Sequence, residues 1–144
     1  MCEIAIVIPV RDEEKNIGAL VQRTSAALDS IQRTFEIIFI TDINSDNTVG
    51  VLEQYSNTTP QVKTIKLTNS FGQHVAVIAG LDHSTGQTAV IMDGDLQDYP
   101  EDIPLLYAKL KEGYDVVYGV KENKNDSLFR NISSWLFNLL MSSL

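Results

Sequence analysis

The chain has 144 residues, 44% of them hydrophobic, which suits one domain with a packed core and excludes a chain that is disordered throughout. Its 19 acidic residues outnumber its 11 basic residues, and the net charge of -8 argues against a protein that binds bare nucleic acid through its phosphates. A phosphate-bearing ligand would therefore need a cation beside it.

Short β-branched runs alternate with amphipathic segments along the chain. Strands are predicted, in chain order, at residues 4–10, 35–40, 62–67, 88–93 and 115–120. Helices are predicted at residues 13–31, 46–55, 72–82 and 101–111. The first of them is expected to have Asp12 as its N-cap and Glu13, Glu14 and Lys15 in its first turn. Because short polar loops join these elements, the pattern predicts a three-layer α/β/α fold with a mostly parallel sheet and right-handed crossovers.

Polar loops follow the first four predicted strands. They cover residues 9–13, 41–46, 69–73 and 93–98. In an open parallel sheet the carboxyl ends of the strands lie at one edge, and ligands bind there. We therefore expect these loops to converge on one site.

The loop after the fourth strand carries the densest group of carboxylates. Asp93 and Asp95 flank Gly94 directly after an apolar run. Carboxylates this close repel one another, and a hard divalent cation such as Mg²⁺ or Mn²⁺ relieves the repulsion through oxygen ligands. A bound cation leaves coordination positions for phosphate oxygens, which implies a nucleoside diphosphate. The alternative is an acidic turn that caps the next helix.

Asp42 follows the second predicted strand and is a candidate acceptor for a base N–H or a ribose hydroxyl. An N-cap or an Asx turn explains it equally well from the sequence. Asp46 is assigned to capping of the next helix.

Longer motifs cover nearly the whole chain. They are IVIPVRDEEKNI at 6–17, ITDINSDNT at 40–48, NSFGQHVAVIAGLD at 69–82, MDGDLQDYPEDIP at 92–104 and EGYDVVYGVK at 112–121. With these motifs the chain resembles the family 2 glycosyltransferases of the GT-A fold, within the branch that transfers sugar from a nucleotide donor to a polyprenyl or dolichyl phosphate. The string DGDLQDYPE is the most specific of them.

The resemblance implies roles for particular residues. Asp93 and Asp95 would be catalytic and would bind the metal with help from Gln97, and Gly94 would contact the donor through its backbone. The expected nucleotide-sugar pocket consists of Pro9, Arg11, Glu13, Ile40, Asp42, Asp93, Gly94, Asp95 and Lys121. Arg130 falls in the stretch that would meet the lipid phosphate.

The sequence departs from the family pattern in the nucleotide pocket. Arg11 occupies a position where an aromatic residue is usual. In the second loop, Thr41, Ile43 and Asn44 replace the first Asp, the Gly and the Ser of the common D-D-G-S motif. These departures leave the base of the donor open, with UDP-linked and GDP-linked sugars as the candidates.

The expected organisation is a nucleotide-sugar-binding part over residues 1–121, followed by a polar break and an amphipathic tail over residues 122–144. The tail places Leu128, Ile132, Trp135, Leu136, Leu139 and Leu140 on one helical face. Contact with a membrane surface and self-association are both consistent with that face.

No run of roughly 18 apolar residues predicts a spanning helix. Relatives carry a further acceptor segment, so the fold is expected to be incomplete at its C-terminus, in a parent protein at the cytoplasmic face of a membrane.

The resemblance implies metal-assisted transfer of a sugar to a polyprenyl phosphate, with inversion at the anomeric carbon. One alternative is a fragment or degenerate copy that binds the donor without turnover. Another is a receiver-like signalling domain, which also has a doubly wound sheet and a magnesium site. A receiver-like domain would place its acidic pair after the first strand, whereas this chain has Asp93 and Asp95 after the fourth.

Overall fold

Four strands and four helices alternate in the computed structural model, which describes residues 2–120. The strands are β1 (Cys2–Val10), β2 (Phe35–Thr41), β3 (Val62–Lys66) and β4 (Gly86–Ile91). The helices are α1 (Ile17–Ser30), α2 (Thr48–Thr58), α3 (Gln73–Asp82) and α4 (Ile103–Leu110), the last preceded by a 3₁₀ turn at Pro100–Asp102. The first four predicted strands and all four predicted helices are therefore confirmed, within a few residues at their ends.

The strands form one parallel sheet in the order β3-β2-β1-β4. β1 lies inside the sheet, where Ile6 is in register with Ile37 of β2 and with Val90 of β4. β1 and β2 are mostly apolar and rich in Ile, and both of their faces are buried, as is usual for the inner strands of a parallel sheet. The predicted three-layer α/β architecture is thus confirmed.

The helices cover the two faces of the sheet unequally. On one face, α1, α2 and α4 bury a large core that includes Ile6, Leu20 and Leu52. On the other face, α3 packs against β1 and β2 around Val7, Ile38 and a few neighbours. Ile91 of β4 is in register with Val7, and 55% of its surface is exposed. The described residues therefore leave β4 largely uncovered on the α3 side.

The start of α1 differs from the prediction. α1 begins at Ile17, and Asn16 occupies the N-cap position, so the assignment of Asp12 as N-cap is wrong. Asp12 has a φ of 55°, and its carboxylate accepts a hydrogen bond from the Ser45 backbone N–H at 2.5 Å. The chain before α1 is consequently a loop tied to the loop after β2, and the predicted first turn, Glu13, Glu14 and Lys15, precedes the helix.

The predicted fifth strand is also wrong. Residues 115–120 form no strand, and 83% of the Tyr118 surface and 84% of the Val120 surface is exposed. β-Branched residues fit a pleated, half-buried surface, and their strand preference depends on packing against a neighbouring strand. β4 is the last strand of the sheet on this side, and no described residue pairs with its outer edge.

Some predictions fall on residues that the structure does not describe. Lys121, Arg130 and the amphipathic tail at 128–144 lie outside the described residues. Within residues 2–120, no helix combines the length and the apolar character needed to cross a membrane.

Candidate functional site

The loops that follow the four strands converge at the carboxyl edge of the sheet, as predicted. They surround a cavity of about 340 Å³. Its lining residues are Pro9, Val10, Arg11, Glu13, Ile40, Asp42, Ser70, Gly72, Gln73, Ala76, Asp93, Gly94 and Asp95. Each loop contributes at least one polar side chain, because every parallel strand ends at this same edge.

Asp93 and Asp95 sit in a loop that is fixed by hydrogen bonds. Gln73, in the first turn of α3, donates its Nε2 to Asp93 Oδ1 at 2.8 Å. The Gln97 backbone N–H donates to Asp95 Oδ1 at 2.9 Å, and the Asp93 backbone N–H donates to Asp98 Oδ2 at 3.1 Å. Both carboxylates are exposed at the cavity, and each keeps its second oxygen without a hydrogen bond from the described residues.

Gly94 lets this loop lie directly against the end of β1. A Cβ at this position would lie 2.6 Å from Val10 Cγ1 and 3.3 Å from the Pro9 carbonyl oxygen. Contacts that short force a shift of the backbone, so a larger residue would push the two aspartates away from the end of β1. Gly94 is therefore required by packing, in addition to any contact with a ligand.

The free carboxylate oxygens have the chemistry that Mg²⁺ or Mn²⁺ requires. Among residues 2–120, however, no three His, Cys, Asp or Glu side chains are grouped closely enough to enclose a metal ion. The chain therefore offers two carboxylates, Asp93 and Asp95, on an open side of the cavity. A cation held by two protein ligands retains positions for water and for ligand oxygens.

Asp42 carries an unusual buried oxygen. Its Oδ1 is inaccessible to solvent and has no hydrogen-bond partner in the described part of the chain. An unsatisfied buried acceptor typically costs about 1–3 kcal/mol, and more when it is charged. Asp42 also lines a second cavity, of about 420 Å³, between the start of α2 and the end of β3. A ligand N–H or O–H that reached this oxygen would remove the cost.

Arg11 is the one lysine or arginine among the residues lining the first cavity. Its Nη1 donates to Ser70 Oγ at 3.4 Å, and the described residues offer the guanidinium no other partner. Around it lie the carboxylates of Glu13, Asp42, Asp93 and Asp95. An anionic ligand entering this acidic cavity needs added positive charge, and Arg11 supplies only part of it.

Asp46, the predicted capping residue, lies one residue before the N-cap Asn47 and bonds Thr48, the first residue of α2. Its Oδ1 accepts hydrogen bonds from the Thr48 hydroxyl at 2.6 Å and from the Thr48 backbone N–H at 3.0 Å. These bonds favour the ionised carboxylate, so they lower the pKa of Asp46. Thr48 Oγ1 in turn accepts the Glu13 backbone N–H at 2.8 Å, which ties the cap to the loop beside the cavity.

The structure brings most of the predicted pocket residues together. Those that line the first cavity are Pro9, Arg11, Glu13, Ile40, Asp42, Asp93, Gly94 and Asp95. Gln97, the predicted third metal ligand, is exposed and is absent from the lining. Ser70 and Gln73 also line the cavity, although the sequence did not single them out. The one signal for them in the sequence is that they lie in the polar loop after the third predicted strand.

Residues 5–143 match the family model described as "Glycosyl transferase family 2". Similar solved structures include S. aureus TarS 1-349, with 24% sequence identity and a TM-score of 0.62 over 83% of this chain and 38% of that one. A second is glucosyl-3-phosphoglycerate synthase from Mycobacterium tuberculosis with Mn²⁺, UDP-glucose and phosphoglyceric acid, with 19% identity and a TM-score of 0.60 over 76% of this chain and 39% of that one.

A third similar structure is the mannosyltransferase PcManGT from Pyrobaculum calidifontis in complex with GDP-Man and Mn²⁺. It has 20% identity and a TM-score of 0.55, over 65% of this chain and 28% of that one. This chain therefore spans less than half the length of each of the three structures. At these identities the likeness shows a shared fold.

Proposed function

The chain belongs to glycosyl transferase family 2, and we propose that its cavity binds a nucleoside diphosphate sugar together with a divalent cation, for transfer of the sugar to an acceptor. The observation that carries this proposal is the placement of Asp42, Asp93 and Asp95 around one cavity. Asp93 and Asp95 suit a cation bound to a diphosphate, and Asp42 suits a hydrogen-bond donor of the nucleoside.

Asp93 and Asp95 would hold Mg²⁺ or Mn²⁺ through their free oxygens, and such a cation would supply positive charge beside the leaving diphosphate. Arg11 adds charge-assisted hydrogen bonds to the diphosphate. Two of the similar structures were solved with Mn²⁺, one with UDP-glucose and the other with GDP-Man, which supports a metal-bound nucleotide sugar here.

Asp42 selects the base by hydrogen bonding. An ionised carboxylate only accepts hydrogen bonds, so an Asp42 oxygen that faces the cavity pairs with a ring N–H. Uracil and guanine carry such an N–H on the edge used for base pairing, whereas cytosine and adenine carry a ring lone pair there. We therefore expect UDP or GDP to bind more tightly than CDP or ADP.

The proposed acceptor is a polyprenyl phosphate. The support is the resemblance to that branch of the family, together with the chemistry of the acceptor. A lipid phosphate is already anionic, so it attacks the anomeric carbon with less help from a general base than an alcohol needs. Direct displacement inverts that carbon. A lipid acceptor also fits a protein at the cytoplasmic face of a membrane and the apolar face predicted for residues 128–144.

A second candidate function is donor binding without turnover. The observation that favours it is the cavity itself, whose lining residues Asp42, Asp93 and Asp95 account for a nucleotide and a cation. Both functions share the metal and nucleotide site and differ in whether sugar is released from the donor. Product release from a radiolabelled donor separates them.

The proposed site is tested by calorimetric titration of the chain with UDP and, separately, GDP, each with and without Mn²⁺. We expect Mn²⁺-dependent binding of at least one nucleotide, and its loss in the double variant Asp93→Ala and Asp95→Ala. Asp82→Ala, at the exposed C-terminal end of α3, is the matched control and retains binding. Absence of binding to the folded wild-type chain would contradict the proposal.

A further inference from the structure

α3 lies close to the sheet, and its packing brings its first residue to the cavity. Gly80 allows the close approach, since a Cβ there would lie 2.5 Å from Val7 Cγ1 and 2.6 Å from Ile40 Cδ1. One turn earlier on the same side of the helix, Ala76 is small and buried, and it lines the cavity. One turn earlier again is Gln73, the first residue of α3, which also lines the cavity. The packing of α3 therefore fixes the point from which the Gln73 side chain extends.

The two aspartates of the cavity are held in different ways. Asp95 is held within its own loop, because its Oδ1 accepts the backbone N–H of Gln97, two residues later. The Asp93 carboxylate accepts one hydrogen bond from the described residues, and the donor is Gln73, 20 residues earlier in the chain. Asp93 is exposed, so without this bond no hydrogen bond from residues 2–120 would keep its side chain in one rotamer.

An uncharged amide is suited to hold a carboxylate that also binds a cation. Gln73 donates an N–H to Asp93 Oδ1 without neutralising the carboxylate, so the negative charge remains available to a metal ion. A lysine or arginine in its place would repel a nearby cation. Asp93 and Asp95 thus each have one oxygen fixed and one oxygen to offer. Carboxylates that bind metal ions are typically hydrogen-bonded to a neighbouring group in this way.

We propose that Gln73 is a positioning residue for the cation: its hydrogen bond to Asp93 Oδ1 fixes that carboxylate so that Oδ2 remains available to Mg²⁺ or Mn²⁺. Gln73 acts through Asp93 and makes no contact with the cation itself. This inference rests on the proposed function, since it concerns the metal part of the same site. Loss of such a supporting residue typically lowers metal affinity by about 10- to 100-fold.

The test compares the affinities of UDP and, separately, GDP with and without Mn²⁺, by isothermal titration of the wild type and Gln73→Met. For the nucleotide that binds more tightly, the ratio of the two affinities measures what the cation adds. Methionine has a side chain of similar length but no N–H to donate. We expect the ratio to fall by about tenfold, or to unity if the wild-type ratio is smaller than that. Because Gln73 lines the cavity, a lost contact with the nucleotide itself cancels in the ratio.

Two controls separate positioning from other effects. Gln54→Met makes the same substitution at an exposed position of α2, outside the lining of both cavities, and leaves the ratio at its wild-type value. In the Asp93→Ala background, Gln73→Met lowers the ratio no further, because the residue that Gln73 positions is already absent. Circular dichroism verifies that each variant is folded, and Gln73→Ala replaces Gln73→Met if the latter does not fold.

Three results would overturn the inference. A wild-type ratio in the folded Gln73 variant removes the role of Gln73 and leaves Mn²⁺-dependent nucleotide binding intact. A further fall of the ratio in the Asp93→Ala background makes Gln73 a direct ligand of the cation rather than a positioning residue. Absence of Mn²⁺-dependent nucleotide binding by the wild type overturns the inference and the proposed metal site together.

Discussion

Arg11 shows how a single residue changes the chemistry of this cavity. It lies among carboxylates and bonds only Ser70 among the described residues. A planar guanidinium offers several donors in a fixed arrangement that matches phosphate oxygens, which an aromatic side chain at the same position cannot provide. In the proposed site, this departure from the family pattern would therefore add affinity for the anionic part of the donor.

We expect Arg11→Gln to weaken UDP binding by about three- to tenfold, a range below that of buried charged pairs because Arg11 is exposed. The affinity for uridine, which has no phosphate, stays unchanged. Isothermal titration with both ligands measures this, and Arg33→Gln is the control because Arg33 pairs with Glu3 at the opposite edge of the sheet. An equal loss for uridine and UDP would assign Arg11 to the base rather than the phosphates.

At the scale of elements, Glu36 joins parts of the sheet at the edge opposite the cavity. It belongs to β2, and its Oε2 lies 2.6 Å from Lys63 Nζ of β3. Its Oε1 accepts hydrogen bonds from the Thr85 hydroxyl at 3.0 Å and from the Thr85 backbone N–H, just before β4. Burial alone would raise the pKa of Glu36, but the bonds from Lys63 and Thr85 outweigh it and lower the pKa below 4.5.

This lowered pKa predicts acid sensitivity. The ionised Glu36 contributes its full stabilisation above the unfolded pKa of 4.5, and that contribution is lost as the pH falls through the lower folded value. We expect Glu36→Gln to be less stable than the wild type at pH 7 and to lose less stability between pH 4.5 and pH 3. Urea unfolding at a series of pH values measures both effects.

The control for this prediction is Glu101→Gln. The Arg23 guanidinium holds the pKa of Glu101 at about 2, yet that ion pair is on the surface, where solvent screens it. We therefore expect Glu101→Gln to change the pH dependence less than Glu36→Gln does. A larger effect from Glu101→Gln would show that the buried Glu36 does not govern the loss of stability at acidic pH.

At the scale of the whole molecule, the sheet has one well-covered face and one sparsely covered face. α3 lies close to the sheet because Gly80 has no side chain; a Cβ there would lie 2.5 Å from Val7 Cγ1. Within residues 2–120, α3 packs mainly against β1 and β2, and these residues leave β4 open on that side. Stability should therefore depend mainly on the core between the sheet and α1, α2 and α4.

We expect Ile6→Ala to reduce the free energy of unfolding by about 2–5 kcal/mol, because Ile6 is fully buried in that core and its truncation leaves a cavity. Ile91→Ala, in the neighbouring strand but 55% exposed, should change it by less than about 1 kcal/mol. Urea denaturation of both variants compares the same substitution on the two faces. Equal losses would mean that Ile91 is covered in the folded protein.

The predictions that the structure confirms depend on local sequence patterns, whereas those that it contradicts depend on residues far apart in the sequence. Local patterns predicted the apolar strands β1 and β2, the helical spacing of apolar residues in α1 and the carboxylate group Asp93-Gly94-Asp95. Because parallel strands run in the same direction, their carboxyl ends lie at one edge of the sheet. The N-cap assignment of Asp12 failed because Ser45 and Asn44, distant in the sequence, bind that residue. The strand at 115–120 failed because a strand requires a partner as well as β-branched residues.

The sequence by itself determined the fold class, the convergence of the strand-end loops and the identity of most residues around the cavity, because hydrophobic period and residue type carry that information along the chain. Only the tertiary structure decided that Gln73 bonds Asp93, that Asn44 joins two loops and that one oxygen of Asp42 is buried without a partner among the described residues. These features depend on which side chains meet across loops far apart in sequence, and such meetings are set by packing of the whole domain rather than by any local pattern.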